Sequence, residues 1–217
     1  MLGTVIDQEH TWTLAVVDDD VTVLRSISRL LSVCGYEVRT FSSADAFLGS
    51  LDVWEPEMLL LDLRMPESDG LSLQAALTKR GRDIPTVFLS GHGDVASSVR
   101  AIRGGAIDFL EKPCDEQALL SSLSRAAVAA EGHQRDRLRM RDVNERANRL
   151  TRREREVFRL VAAGRLNKQI AATLGTTEKT IKVHRGRVMT KMCAVSIADL
   201  VRMFDLLEGA SPSLGLK

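Results

Sequence analysis

Polar side chains that could take part in chemistry follow four of the apolar segments in the first half of the sequence. They are Asp18 and Asp19, Asp62, Ser90 and Lys112. If the segments are parallel strands of one sheet, their carboxyl ends share an edge, which is where open α/β sheets bind ligands. The sequence therefore predicts that these side chains converge on a single site.

Carboxylates that converge repel one another, so an ionised cluster needs a cation. Oxygen-only ligands favour Mg²⁺. The expected ligands are Asp18, Asp19, Asp62 and the backbone carbonyl of Arg64. With that charge neutralised, Asp62 could attack a phosphoryl group and form an acyl phosphate. Lys112 would pair with the phosphoryl oxygens, and the Ser90 hydroxyl would donate a hydrogen bond to one of them.

Strand and helix patterns alternate through residues 13–130, which predicts an α/β domain. The predicted strands are 13–17, 36–40, 58–61, 86–89 and 106–110, each followed by a helical pattern. Gly35 is expected to end the first helix, and Ser43 is expected to cap the second. Right-handed crossovers then place helices on both faces of a parallel sheet.

A strongly charged segment, 131–149, continues the helical pattern that begins at Asp115. Because it has few apolar residues, we expect an exposed helical linker, either continuous with the preceding helix or broken near Gly132. A disordered charged tether is the alternative. Residues 1–12 are expected to form an N-terminal extension, and residues 209–217 a flexible tail.

Residues 150–208 are expected to form four short helices. Their predicted N-terminal caps are Thr151, with Glu154 as its capping-box partner, then Asn167, Thr177 and Ser196. Gly164 and Gly175 end the first two helices. Two helices joined by a tight glycine turn, the second rich in Lys and Arg, indicate a helix-turn-helix that binds the major groove of DNA.

The third of these helices, from Glu178 to about Met192, is expected to bury Ile181, Val188 and Met192. The residues expected to face DNA are Lys179, Thr180, Lys182, Val183, Arg185, Gly186 and Arg187, with Lys168 from the helix before. Arg185 and Arg187 are better placed for phosphates than for bases. A basic helix that is merely solvated is the alternative.

The net charge of +1 hides two oppositely charged parts of the 217-residue chain. Residues 1–130 contain 11 Lys or Arg against 19 Asp or Glu, whereas residues 131–217 contain 19 against 10. An acidic part favours cations or basic partners, and a basic part favours nucleic acid. Chance segregation of surface charge in long helices is the alternative.

Three cysteines, Cys34, Cys114 and Cys193, lie far apart and have no metal-ligand spacing. This pattern favours a reduced, cytoplasmic protein. No apolar run approaches the ~18 residues needed to span a membrane, and we expect no signal peptide.

Motifs within residues 13–130 resemble the receiver domains of two-component response regulators. They are Val-Val-Asp-Asp-Asp, Asp-Leu-Arg-Met-Pro-Glu-Ser-Asp-Gly, Leu-Ser-Gly-His-Gly-Asp and Gly-Ala-Ile-Asp-Phe-Leu-Glu-Lys-Pro, in that order. The resemblance implies a flavodoxin-like (βα)5 fold with sheet order 2-1-3-4-5 and phosphorylation of Asp62 by a sensor histidine kinase. It also implies that Ser90, where relatives often have Thr, and Phe109 form a switch pair, although Phe109 could equally be a core aromatic.

Motifs within residues 150–208 resemble the LuxR-type DNA-binding domain. They are Leu-Thr-Arg-Arg-Glu-Arg-Glu-Val, Gly-Arg-Leu-Asn-Lys-Gln-Ile-Ala and Thr-Glu-Lys-Thr-Ile-Lys-Val-His-Arg. Together with the receiver motifs they are similar to the NarL/FixJ class, FixJ branch. The resemblance makes Lys182 and Val183 candidate base readers, while Gly186 departs from members that carry a long side chain there.

These features predict a phosphorelay transcription factor that dimerises through its fourth helix and fifth strand and works with RNA polymerase. Its expected chemistry is limited to self-phosphorylation and self-dephosphorylation at Asp62. One alternative is a DNA-binding regulator with a vestigial receiver. A Mg²⁺-dependent phosphohydrolase is the other, but the haloacid-dehalogenase-like enzymes need an Asp where this chain has Arg64.

Overall fold

The computed structural model describes residues 10–66, 68–91 and 95–209. Contacts between backbone positions divide the chain into two units, residues 1–133 and residues 134–217. Most of the predicted N-terminal extension and C-terminal tail lies outside the described residues, as do three residues of the Gly-His-Gly-Asp stretch, 92–94. In the part of the chain that is described, every helix is too short or too polar to cross a membrane.

The first unit contains a five-stranded parallel sheet in the order β2-β1-β3-β4-β5. The strands are β1 (Thr13–Val17), β2 (Glu37–Phe41), β3 (Met58–Asp62), β4 (Thr86–Ser90) and β5 (Asp108–Glu111). The helices that follow them are α1 (Val21–Val33), α2 (Ala44–Ser50), α3 (Gly70–Lys79), α4 (Val95–Arg103) and α5 (Glu116–Asn148). The flavodoxin-like order is confirmed.

Helices cover both faces of this sheet, because the apolar runs of the central strands are buried on both sides. Every residue of β3 and β4 is buried. On one face the strands pack with Phe47 of α2, Leu73 of α3 and Ala101 of α4. On the other they pack with Leu31 of α1 and Leu123 of α5.

Two strands begin later than the sequence predicts. Tyr36 was expected to start β2, but its N–H donates to the carbonyl of Leu31 and so closes α1. Ala106 was expected to start β5, but its N–H donates to the carbonyl of Ala101 and closes α4. In both cases the end of the preceding helix takes the amide that a strand would need.

The second unit contains α6 (Arg152–Ala162), α7 (Asn167–Leu174), α8 (Glu178–Met192) and α9 (Ile197–Gly209), together with the last turns of α5. Their shared core includes Val143 of α5, Val157 of α6, Ile170 of α7, Val188 of α8 and Leu200 of α9. Residues 116–148 form one helix, so of the two expectations for the linker the described structure contains the continuous helix and not the break near Gly132.

The helix caps of this unit follow the sequence with one exception. The capping box of Thr151 and Glu154 is confirmed, and so is the cap of α8 by Thr177. Asn167 was predicted to cap α7, but Leu166 occupies that position and its N–H is taken by the side chain of Gln169, at 2.9 Å. Asn167 lies inside the helix instead.

Candidate functional site

Three charged side chains from three strand ends meet at the carboxyl edge of the sheet. Asp18 follows β1, Asp62 ends β3, and Lys112 follows β5. The Nζ atom of Lys112 lies 2.5 Å from Oδ2 of Asp18 and 2.5 Å from Oδ1 of Asp62. Asp18 is 1% exposed and Asp62 5% exposed, so Lys112 links two buried carboxylates.

Backbone groups fix the remaining oxygens of this cluster. The N–H of Arg64 donates to Oδ2 of Asp62 at 2.7 Å, and the N–H of Asp20 donates to Oδ1 of Asp18 at 2.9 Å. The N–H of Lys112 donates to the carbonyl of Ser90 at 2.7 Å, which ties the loop after β5 to the end of β4. The two carboxylates are therefore held in place by the strand-end loops themselves.

Gly70 lets the loop after β3 close tightly over the cluster. A Cβ atom at this position would lie 2.4 Å from the carbonyl oxygen of Asp62 and 2.9 Å from the ring of Phe88. Its N–H donates to the carbonyl of Leu63 at 2.9 Å. Any other residue would push this loop away from Asp62.

Burial and ion pairing act in opposite directions on the cluster. Burial raises the pKa of Asp62, and the hydrogen bond from Lys112 opposes that rise. Burial alone would lower the pKa of Lys112, but its bonds to Asp18 and Asp62 outweigh this and raise it. Lys112 therefore stays a cation between the two carboxylates.

The oxygen atoms of this cluster suit a small hard cation. Asp62, Asp18 and the carbonyl of Arg64 would offer oxygen only, and Mg²⁺ keeps several of its waters when it binds. Asp19 is exposed and borders a cavity of about 210 Å³ that Ser43 also lines. Among the residues that the structure describes, no three acidic, histidine or cysteine side chains are already gathered as a metal site.

The predicted switch residues lie on neighbouring strands. Ser90 ends β4 and is buried. Phe109 is half-buried, is paired in register with Phe88, and packs against the core formed with α2, α3 and α4. The structure therefore places Ser90 at the end of β4 and the aromatic ring of Phe109 on β5, on adjacent strands.

Helix α8 presents the two faces that the sequence predicts. Ile181, Val188 and Met192 are fully buried. The residues expected to face DNA and found exposed are Lys168, Lys179, Thr180, Lys182, Val183, Gly186 and Arg187. Arg185 differs, because it is half-buried and donates to Oδ1 of Asn167 at 2.8 Å. This bond joins α7 to α8 across the turn.

Two residues with structural roles, Asp20 and Lys191, were not predicted from the sequence. Asp20 caps α1 by accepting from the N–H of Thr22 at 2.7 Å, a role that an acidic residue just before a helical pattern signals. Lys191 reaches Oε2 of buried Glu154 at 2.6 Å and so ties α8 to α6. A pair this distant in sequence carries no local signal.

Comparisons with known proteins divide the chain in two. Residues 14–124 match the family model for the response regulator receiver domain, and residues 148–204 match that for bacterial regulatory proteins of the luxR family. The chain is 41% identical to the response regulator protein TmoT of Ectopseudomonas mendocina over 202 residues, covering 93% of this chain and 91% of the relative. It is 38% identical to the transcriptional regulatory protein FixJ of Rhizobium meliloti, covering 93% and 98%.

Solved structures agree with these matches. The response regulator StyR has a TM-score of 0.71 at 39% identity, covering 90% of this chain and 99% of that one. Full-length FixJ from B. japonicum has a TM-score of 0.56 at 35% identity, covering 93% and 100%.

Proposed function

The chain belongs to the response regulators that join a receiver domain to a LuxR-type DNA-binding domain, and from this we propose that phosphorylation of Asp62 controls its affinity for promoter DNA. The observation that carries the proposal is the bridge of Lys112 between buried Asp18 and Asp62. It pairs a nucleophilic carboxylate with a cation able to bind phosphoryl oxygens. A vestigial receiver would have no need to keep these charges buried together.

In the proposed reaction, an oxygen of Asp62 attacks the phosphorus of a phosphohistidine on a sensor kinase. The new P–O bond replaces the P–N bond, and the released imidazole takes a proton from water. Lys112 exchanges its contact with Asp62 for one with a phosphoryl oxygen. Attack by water on the acyl phosphate would return the free carboxylate, so the same site turns the signal off.

The residues that would hold Mg²⁺ are Asp18, Asp19, Asp62 and the carbonyl of Arg64. When bound, the ion would neutralise carboxylate charge and polarise the phosphoryl oxygens. Asp62 accepts the N–H of Arg64 in this structure, so the loop that supplies the carbonyl is already placed by the nucleophile itself.

Phosphorylation would act on a receiver that samples two states. The Ser90 hydroxyl moves to the phosphoryl group, Phe109 turns inward, and the face formed by α4 and β5 changes. Val95, Val99 and Ile102 of α4 are exposed large apolar side chains, which suit a dimer interface on this face. A dimer would place two α8 helices on two half-sites of one operator, in the bacterial cytoplasm, with RNA polymerase as a further partner.

Light scattering with Mg²⁺, before and after addition of beryllofluoride, tests the switch. We expect the wild-type chain to become a dimer only with beryllofluoride, and Asp62→Asn to stay unchanged. Operator affinity at fixed salt should rise in the same sample. If mass and affinity are the same with and without beryllofluoride, the proposal is wrong and the receiver is vestigial.

A further inference from the structure

The C-terminal ends of α5 and α8 bind each other. Nη1 of Arg146, in the last turns of α5, donates to the carbonyl of Met192, the last residue of α8, at 3.1 Å. In return, Nζ of Lys191 in α8 donates to the carbonyl of Arg149, just past the end of α5, at 3.2 Å. Each helix thus supplies a donor to the end of the other.

These bonds meet a general need of helix ends. The last carbonyls of a helix have no partner within it, and a cation there also interacts favourably with the helix dipole. At the end of α8, the carbonyl of Met189 accepts from the N–H of Ala194, and that of Thr190 accepts from the N–H of Cys193. The guanidinium of Arg146 adds the donor for Met192.

The guanidinium is held in place before it reaches α8. Asp142, one turn earlier on α5, accepts from Nε of Arg146 at 2.9 Å and lies 2.6 Å from its Nη2. This two-point contact suits the planar fork of arginine and not the single ammonium of lysine. The side chain of Arg146 is 26% exposed, so the contact is partly shielded from water.

Apolar packing surrounds the two polar bonds. Val143 of α5 and Leu150 are buried in the same core as Ile181, Val188 and Met192 of α8. Since the opposite face of α8 carries the residues expected to meet DNA, the position of its last turn decides how that face is presented.

We propose that Arg146 is a positioning residue for DNA binding: it fixes the C-terminal end of α8 against the last turns of α5, without touching DNA itself. The inference rests on the proposed function only in taking α8 as the helix that reads DNA. It makes the last turns of α5 part of the DNA-binding machinery.

The test compares two full-length variants that remove the same charge from α5. Arg146→Gln loses the bond to Met192, whereas Arg141→Gln changes an exposed arginine a little earlier on the helix. The probe is a labelled duplex that the wild-type chain, with Mg²⁺ and beryllofluoride present throughout, has enriched from a random-sequence pool. Affinity is measured over a series of salt concentrations, at a temperature where circular dichroism shows each variant fully folded.

We expect Arg146→Gln to bind roughly tenfold more weakly than Arg141→Gln, in keeping with the loss of a charge-assisted hydrogen bond. The salt dependence should be equal in the two variants, because no phosphate contact is lost. Amide hydrogen exchange should speed up in the last turn of α8 only in Arg146→Gln. Arg146→Lys, which keeps a cation, should recover part of the affinity.

Two results would overturn the inference. One is equal affinity of Arg146→Gln and Arg141→Gln at every salt concentration. The other is a salt slope lower by about 0.9 in Arg146→Gln alone, which would identify a direct phosphate contact. If the wild-type chain enriches no duplex even with Mg²⁺ and beryllofluoride, the proposed function itself fails, and this inference falls with it.

Discussion

Glu154 shows at the residue scale how one buried charge joins two helices. It is 2% exposed, accepts from Nζ of Lys191 at 2.6 Å and accepts from the N–H of Thr151 at 2.9 Å. The bond from Lys191 is the main cause that lowers its pKa to about 2. Because the folded state favours the ionised carboxylate, this stabilisation is present above about pH 4.5 and is lost as the pH falls towards 2.

Replacing Glu154 by Gln should remove the ion pair while leaving an oxygen for the N–H of Thr151. We expect the free energy of unfolding of the second unit to fall by roughly 3 kcal/mol at pH 7, since Lys191 loses its buried partner. In urea titrations the difference from wild type should shrink between pH 4.5 and 3.

The matched control is Glu156→Gln on the same helix. Glu156 pairs with Arg153 at 2.9 Å, but both side chains are 35% exposed, so this loss should stay below about 1 kcal/mol. Equal losses in the two variants, or a Glu154→Gln difference that does not change with pH, would contradict the assignment.

At the scale of single helices, replacing glycine by alanine should change stability in opposite directions at two positions, one within α8 and one at the end of α7. Gly186 lies within α8, and a Cβ atom there would meet nothing within 4 Å. Gly175 ends α7 with φ at +63°. Gly186→Ala should therefore raise the free energy of unfolding by about 1 kcal/mol, and Gly175→Ala should lower it by roughly the same amount.

Measuring the affinity of Gly186→Ala for DNA distinguishes between two possible roles of Gly186. If the glycine lets the backbone of α8 approach the bases, Gly186→Ala will be more stable than wild type yet bind the enriched duplex more weakly. If Gly186 merely lacks a side chain long enough to contact a base, the affinity of Gly186→Ala for the duplex will equal that of wild type. If Gly186→Ala is instead less stable than wild type, the added Cβ atom must meet neighbouring atoms, and the space beside Gly186 is not empty.

The same elements show how far the sequence alone leads. The apolar runs of β3 and β4 and the capping box of α6 are local patterns, so they could be predicted. The starts of β2 and β5 could not, because the decisive bonds run back to Leu31 and Ala101 in the preceding helices. Asparagine is a residue type that often caps helices, so Asn167 was predicted as the cap of α7. The cap is Leu166 instead, because the side chain of Gln169 accepts from the N–H of Leu166.

Contacts distant in sequence were harder to predict than the identities of the site residues. The pattern of polar residues after the apolar segments pointed to Asp18, Asp62 and Lys112, and the strand ends bring these three together. It did not show that Lys112 would bridge both carboxylates, because side-chain placement depends on the packed sheet. The bond from Arg146 to Met192 had no local signal either, since charge made residues 131–149 look like a solvated linker.

At the scale of the whole molecule, one helix contributes to two cores. Leu119 and Leu123 of α5 are buried with the sheet of the first unit, whereas Val143 and Ala147 pack in the core of the second. The sequence placed the start of the DNA-binding domain at residue 150. Contacts between backbone positions group residues 134–149 with the second unit, and the boundary at residue 150 stays a prediction.

Two fragments can decide which boundary is physical. A chain of residues 134–217 keeps Val143 in the core and the bond from Arg146 to Met192, so it should unfold cooperatively in urea. A chain of residues 150–217 lacks both and leaves the end of α8 without its donor. We expect it to be less stable by roughly 3 kcal/mol, from lost burial and a lost charge-assisted bond. Equal stability of the fragments would mean that residues 134–149 only connect the two units. A difference of the expected size would mean that the last turns of α5 are a structural part of the DNA-binding unit.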